Sequence, residues 1–300
     1  MLLVYPSATY RALPSLKKTT RLKTLVGIES QLRDWPSPNL GPDFCNDVLT
    51  TSEKIIELVK NSTITTTVPL VEKVVLACGL AAQRLNLKQS LSLEAAITCT
   101  DRLTQRKALK KTGLNPPWSA YLSKSDRIYL SKFPVVLKKP ASARGEGVKI
   151  VYSQKNLEDF LKEKIHTRQT WRLRQAGFKP DYDFLIEEFI EGESWEVDGI
   201  SREKVAHIFQ PLKQTWSGPG EKIIKYEAIT PPLGLVDSAV EAVEACGIKW
   251  SGWCVELKGY ANNWKVIEVN ARLGEDSGDF YKLMSPEIHP IEKLCQVLLE

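Results

Sequence analysis

Val266-Ile267-Glu268-Val269-Asn270-Ala271-Arg272-Leu273-Gly274, preceded by Val255-Glu256-Leu257, is the stretch on which the reading of this chain turns. The two apolar runs flank Tyr260-Ala261-Asn262 and read as an antiparallel pair of strands over residues 253–259 and 263–270. Side chains alternate along a strand, so Glu268 and Asn270 share one face while Ile267 and Val269 point to the other. An antiparallel partner brings Glu256 beside them. Two carboxylates and an amide oxygen are hard donors that suit Mg²⁺ (or Mn²⁺) shared with phosphate oxygens. Adjacent acids repel, so a cation is a natural occupant. The plain alternative is an amphipathic hairpin with an acidic outer face. Arg272, suited to binding oxyanions, favours the metal reading.

Working outward, Phe133-Pro134-Val135-Val136-Leu137-Lys138-Lys139-Pro140 reads as a buried strand ending in two lysines. It runs into a small-residue loop, Ala141-Ser142-Ala143-Arg144-Gly145-Glu146-Gly147. A lysine at the end of an apolar strand is expected to face an anion, and the N–H groups of such a loop approach phosphates closely. The pattern is neither a Walker A loop nor a dinucleotide GxGxxG. Alone, it reads equally well as a surface hairpin with solvated lysines. Between these groups, Phe184-Leu185-Ile186-Glu187-Glu188-Phe189-Ile190-Glu191-Gly192-Glu193-Ser194-Trp195-Glu196 carries an apolar strand into paired acids. Such a hinge could read an adenine edge through its backbone while an acid holds a ribose hydroxyl. An edge strand with its acids in water is the alternative there.

The remaining sequence is that of a globular protein. Its 300 residues are 43% hydrophobic and 26% charged, enough for two or three lobes. No run reaches the roughly 18 apolar residues that span a bilayer. The short apolar start reads as a first strand and not as a signal peptide. Six scattered cysteines form no CxxC pair and read as free thiols of a cytoplasmic protein. The net charge of +5 suits a polyanionic ligand, but basic residues are not interleaved with aromatics, so no nucleic-acid partner is expected. His166, His207 and His289 stand in no triad-like or metal-like setting. Residues 1–90 alternate strands near 2–5, 24–28 and 63–68 with helical patterns over 10–22, 51–59 and 71–85. That βαβαβ rhythm predicts a small parallel sheet with helices on its faces. Residues 91–118 read as a helical connection, and the rest as strands and hairpins with helices near 156–163, 235–246 and 291–299.

In this order the three groups resemble the ATP-grasp superfamily, from Leu2 to about Asp279. Within it, the chain is similar to the L-amino-acid ligases, the bacilysin-synthetase-like and carnosine-synthase-like enzymes. Tyr5-Pro6-Ser7-Ala8-Thr9-Tyr10-Arg11-Ala12, Ser92-Leu93-Glu94-Ala95-Ala96 running into Asp101-Arg102, and Ser217-Gly218-Pro219 through Tyr226-Glu227 to Thr230-Pro231 resemble that branch too. The resemblance implies an α/β (α+β) ATP-grasp fold. Its parts are a Rossmann-like domain at 1–90, a connection at 91–118, a small lobe with the nucleotide lid at 119–190 and a large lobe with the metal site at 191–300. The implied activity is that of an ADP-forming ligase: ATP activates a carboxylate as an acyl-phosphate, and an amine then attacks to form a C–N bond.

The resemblance also implies roles for single residues. Arg102 and Lys139 meet the nucleotide phosphates, with Ser142, Arg144, Gly145 and Gly147 in the lid. Glu187, Glu188, Phe189 and Ile190 form the adenine hinge. Glu193 or Glu196 holds the ribose, because Ser194 stands at the usual glutamate position. Glu256, Glu268 and Asn270 hold Mg²⁺, Arg272 steadies the substrate carboxylate or acyl-phosphate, and Lys225 reaches the γ-phosphate. Arg102 replaces the family's usual lysine, keeping its charge but not its shape. The first substrate is expected outside the end of the first strand, near Pro6–Arg11. Expected partners are a small carboxylate and an amine, without membrane; a homodimer is left open. The rival readings are a nucleotide-binding sensor or scaffold without turnover, and a biotin- or purine-pathway ligase of the same fold.

Overall fold

The computed structural model describes residues 2–5, 23–26, 47–60, 63–123, 126–142, 145–162, 168–218, 222–274 and 278–300, with side chains from residue 47 onward except at 168, 169, 278 and 279. The expected helix at 10–22, the substrate stretch Pro6–Arg11 and Arg144 lie outside these residues.

Strands β1 (Leu2–Tyr5), β2 (Lys23–Val26) and β3 (Thr67–Pro69) form a parallel sheet in the order β2-β1-β3. The predicted βαβ rhythm therefore closes as a parallel sheet, with a third strand shorter than the β-branched run suggested. Helix α1 (Val48–Lys60) turns Ile55, Ile56 and Val59 inward. Helix α2 (Val75–Leu85) buries every residue from Val75 to Ala82 because it packs against both α1 and α3 (Leu93–Thr100). A helix that is apolar all round has to be covered on more than one side.

Two capped helices in series form the connection. The Ser92 hydroxyl accepts from the Ala95 N–H at 3.1 Å and starts α3. The Asp101 carboxylate accepts from the Thr104 N–H at 2.9 Å and starts α4 (Arg102–Ala108). Each cap satisfies a donor that the first helical turn leaves without a partner.

A four-stranded antiparallel sheet follows, in the order β4-β7-β5-β6, from β4 (Ser119–Leu122), β5 (Val135–Lys138), β6 (Val148–Val151) and β7 (Phe184–Glu188). One face, with Leu137, Phe184 and Ile186, packs under Leu157 and Phe160 of α5 (Gln154–Lys162). Alternation sends Lys138 and Glu187 to the other face. Helix α6 (Arg168–Gln175) lies between α5 and β7 in the chain.

The third sheet has the order β11-β10-β8-β12-β13, and β9 also pairs with β8. Its strands are β8 (Glu193–Arg202), β9 (Lys204–Ile208), β10 (Leu212–Trp216), β11 (Ile223–Glu227), β12 (Ser251–Tyr260) and β13 (Asn263–Asn270). Trp195, Trp253, Val255, Leu257 and Trp264 face a core shared with Ala239, Ala242 and Val243 of α7 (Leu235–Ala245). Truncating one of these tryptophans to alanine would cost about 3–5 kcal/mol. Helices α8 (Gly278–Met284) and α9 (Pro290–Leu299) complete the chain.

The β12–β13 hairpin corrects one sequence expectation. The ladder pairs Glu256 with Glu268 but Leu257 with Val266, leaving Ile267 as an extra residue. Such a β-bulge breaks strict alternation. Val266 and Val269 both reach the core, whereas Ile267 stays outside it instead of joining Val269.

Cys78, Cys99, Cys246, Cys254 and Cys295 are buried and not in disulfides. Among the described residues, no helix is long and apolar enough to cross a membrane.

Candidate functional site

Across three neighbouring strands, Glu196 of β8 faces Glu256 of β12, which faces Glu268 of β13. One step along, Asp198, Cys254 and Asn270 form a second row by the same pairings. Even spacing along β8 and β12 puts both rows on the face turned away from α7. Glu196, Asp198 and Asn270 are buried. Ligand atoms of Glu196, Asp198 and Cys254 all lie within 4.8 Å of one another.

Two of the acids are held by neutral donors. Gln214 Nε2 donates to Glu196 at 2.8 Å, and the Gly274 N–H donates to Asp198 at 2.6 Å. Gly274 lies so close to Glu196 that a Cβ there would collide with its carboxylate. Withdrawal from water, then repulsion from Glu268 and Glu196, pushes Glu256 up to about 8. Burial pushes Asp198 up to about 6 despite its bond from Gly274. Carboxylates that resist ionisation through enclosure and mutual repulsion gain from a further cation, and their oxygens are the donors a hard divalent cation takes. The residues present therefore fit Mg²⁺ or Mn²⁺.

Cationic groups approach this face from the connection and the small sheet. Arg102 pairs with Glu268 at 3.2 Å and donates to the Lys139 carbonyl at 2.9 Å. Arg272 stands 3.6 Å from Glu72, which lies just after β3. On the four-stranded sheet, Glu187 is clamped between Arg106 and Lys138, the latter at 2.7 Å. Burial works to raise its carboxyl, but the two cations outweigh it and hold Glu187 at about 2.

The same cations reach the large sheet. Arg106 donates to the Ile267 carbonyl at 2.9 Å, and Lys138 to the same oxygen at 3.4 Å. That carbonyl lies on the outer edge of the sheet, where β13 is the last strand. Beside it, Gln105 donates to the Val269 carbonyl at 2.8 Å and accepts from the Val269 N–H at 3.1 Å. One side-chain amide thus does what a neighbouring strand would do, at the residue between Glu268 and Asn270.

Lys139 is buried, with its ammonium 3.6 Å from the centre of the Phe184 ring, a cation–π distance. Its N–H donates to the Gly147 carbonyl at 2.9 Å and closes the loop. Gly145 and Gly147 have φ of +72° and +71°, where a side chain would be strained. The Ser142 hydroxyl in this loop is buried without a protein hydrogen-bond partner.

Other expected site residues stand elsewhere. The Glu187 carboxylate, expected in the adenine hinge, is spent on its ion pairs with Arg106 and Lys138. Glu188 is exposed and its N–H donates to the Trp118 carbonyl at 3.1 Å. Phe189 lies under the Lys258 ammonium at 4.4 Å, and Ile190 is partly buried. Glu193 pairs with Lys213 at 2.6 Å, whereas Glu196 belongs to the acid row. Lys225 is not brought to that row: it pairs with Glu227 at 2.8 Å on the outer strand β11. Sequence reasoning passed over Asp198, Lys138, Arg106, Gln105 and Glu72. Two had a legible signal: Asp198 is two residues from Glu196 on one strand, and Arg106 is four from Arg102 on one helix.

Residues 99–275 match the model of the ATP-grasp domain family, and the protein belongs to that family. Its members are ATP-dependent ligases that work with divalent metals. The carbamoyl phosphate synthase large chain of Pyrococcus furiosus is 31% identical over 99 residues, 32% of this chain and 8% of that protein. The present chain thus spans only a small part of that relative. Among solved structures, an L-amino acid ligase from Bacillus licheniformis superposes with a TM-score of 0.76 at 20% identity, over 100% of this chain and 73% of that one. A biotin carboxylase from Campylobacter jejuni gives 0.69 at 18%, over 99% and 70%. A D-alanine–D-alanine ligase from Bacillus anthracis gives 0.60 at 15%, over 99% and 96%. At these identities the likeness is one of fold.

Proposed function

We propose that this protein is an ATP-dependent carboxylate–amine ligase that activates a small carboxylic or amino acid as an acyl-phosphate and passes it to an amine, releasing ADP and phosphate. The observation that carries the reading is the register of Glu196, Glu256 and Glu268 across three adjacent strands, with Asn270 one step away and cationic side chains facing them. Glu256, Glu268 and Asn270 would hold Mg²⁺, which when bound supplies charge neutralisation for the phosphates. Lys139, Ser142 and the N–H groups of the 145–147 turn bind and orient the phosphates. The backbone of 188–190 receives the base. Arg272 steadies the substrate carboxylate as its oxygen attacks the γ-phosphorus and the bond to the ADP oxygen breaks. Attack of the amine on the acyl carbon then expels phosphate. No protein nucleophile is needed, since phosphoryl transfer asks mainly for alignment and charge compensation.

The test is ADP release over pairs of amino acids and small acids. Turnover should require both an acid and an amine, and Glu268→Gln should lower it by ~100-fold or more while leaving the fold intact. ATP binding without turnover for any pair, or turnover indifferent to the amine, would overturn the reading.

A further inference from the structure

Arg102 occupies a place that helix stability does not explain. It is the first residue of α4, where the helix's own positive end opposes a cation. Its N–H donates to the Pro140 carbonyl at 2.9 Å, and its side chain is only 8% exposed. The guanidinium forks: Nη1 donates to the Lys139 carbonyl at 2.9 Å and Nη2 meets Glu268 Oε1 at 3.2 Å. One group thus spans from the end of β5 to β13, across the gap between the two sheets. A lysine ammonium has no planar fork with which to hold both at once. Gln105 fixes α4 to Val269, so the helix cannot carry Arg102 away without losing two buried hydrogen bonds. The Glu268 side chain keeps 26% exposure and can be reached by a cation from solution.

We infer that Arg102 is the resident counter-cation of Glu268 in the nucleotide-free protein, and that a divalent cation must displace it to take that carboxylate. The inference rests on the metal assignment proposed above. Two cations cannot share Oε1 without strong repulsion at this range. Phosphate oxygens arriving beside Lys139 offer the guanidinium a second anionic partner, so nucleotide releases Glu268. Metal alone is therefore disfavoured, and the metal–nucleotide pair is favoured.

Mn²⁺ binding, read from the electron paramagnetic signal of the free ion, tests this without requiring turnover. In the absence of nucleotide, Arg102→Gln should bind Mn²⁺ about fivefold more tightly than wild type, a change sized for a half-buried ion pair. Arg102→Lys, which keeps the charge but loses the fork, should fall between them and carries the test if the glutamine variant melts early. Saturating ADP should shrink the difference. Glu268→Gln should bind Mn²⁺ more weakly than wild type. If Glu268→Gln binds as wild type does, the metal assignment fails and takes the inference with it. If Glu268→Gln weakens binding but neither Arg102 variant tightens it, or if ADP leaves the difference unchanged, the counter-cation role alone is overturned.

Discussion

Glu187 and its two partners show how a single residue divides structure from chemistry at this site. Its folded-state carboxyl titrates near 2, below the usual 4.5, because Arg106 and Lys138 prevail over burial. A depressed acid contributes its stability above the unfolded value and loses it as pH falls through the folded one. Wild type should therefore lose this contribution between about pH 4.5 and 2. Glu187→Gln should show a shallower fall there and should be about 3–5 kcal/mol less stable at pH 7, because two buried cations lose their anion. Urea unfolding across that range checks both effects, and an unchanged midpoint at pH 7 would count against the clamp. The adjacent lysines divide the same way. Lys139→Ala should weaken ATP by about 1.5–3 kcal/mol with little loss of stability. Lys138→Ala should destabilise the protein because it breaks the buried pair. Calorimetry and thermal melts separate the two; equal effects on ATP would erase the distinction. Composition and spacing alone treat the pair Lys138-Lys139 as one feature. The resemblance singles out Lys139, and the pleat of β5 supplies a structural difference, since it turns Lys138 toward Glu187 and leaves Lys139 beyond the strand.

At the scale of the element, β13 carries two of the metal candidates, Glu268 and Asn270, and α4 holds its outer edge. Gln105→Leu removes both bonds to Val269 and leaves a buried N–H and carbonyl without partners, which should cost about 2–3 kcal/mol. It should also raise the Mg²⁺ concentration needed for half-maximal ADP release while leaving the KM for the acid near wild type. A variant with normal stability and normal metal demand would show that the edge bonds do not position the strand. The loop after β5 should behave oppositely. Its glycine turn and the buried, unpartnered Ser142 hydroxyl leave it weakly tied, so amide exchange at 141–142 and 145–147 should slow when an ATP analogue and Mg²⁺ are added. Equal protection in both states would remove its role as a lid. Elements with a strong period were legible: α1, α2, β5, β7 and the β12–β13 hairpin all followed from apolar spacing. Helix α6, with Arg168, Arg172 and Arg174, was not, because its few apolar residues give no stripe. The bulge at Ile267 was hidden as well, since a ladder shift depends on the partner strand and leaves no mark in the sequence of one.

Across the whole molecule, the order of the motifs carried the fold, while the composition only bounded it. Three motif groups in one order pointed to the ATP-grasp arrangement, and the family match and the solved structures agree with it. The acid pairings were partly legible, because alternation and one hairpin place Glu256, Glu268 and Asn270 together. Glu196 and Asp198 were not, since β8 reaches β12 across a long stretch of chain whose register no local pattern encodes. Lys225 illustrates the converse: a motif suggested proximity, but β10 and β8 stand between its strand and β12. The cover on β13 has a consequence for how copies of the chain meet. A terminal strand normally offers an open row of N–H and carbonyl groups, a template on which another chain can add. At residues 267–269 that row is taken up by Gln105, Arg106 and Lys138. Strand addition is thereby blocked beside the carboxylates proposed to hold the metal; the opposite end of the sheet order is β11, with Ile224 facing solvent.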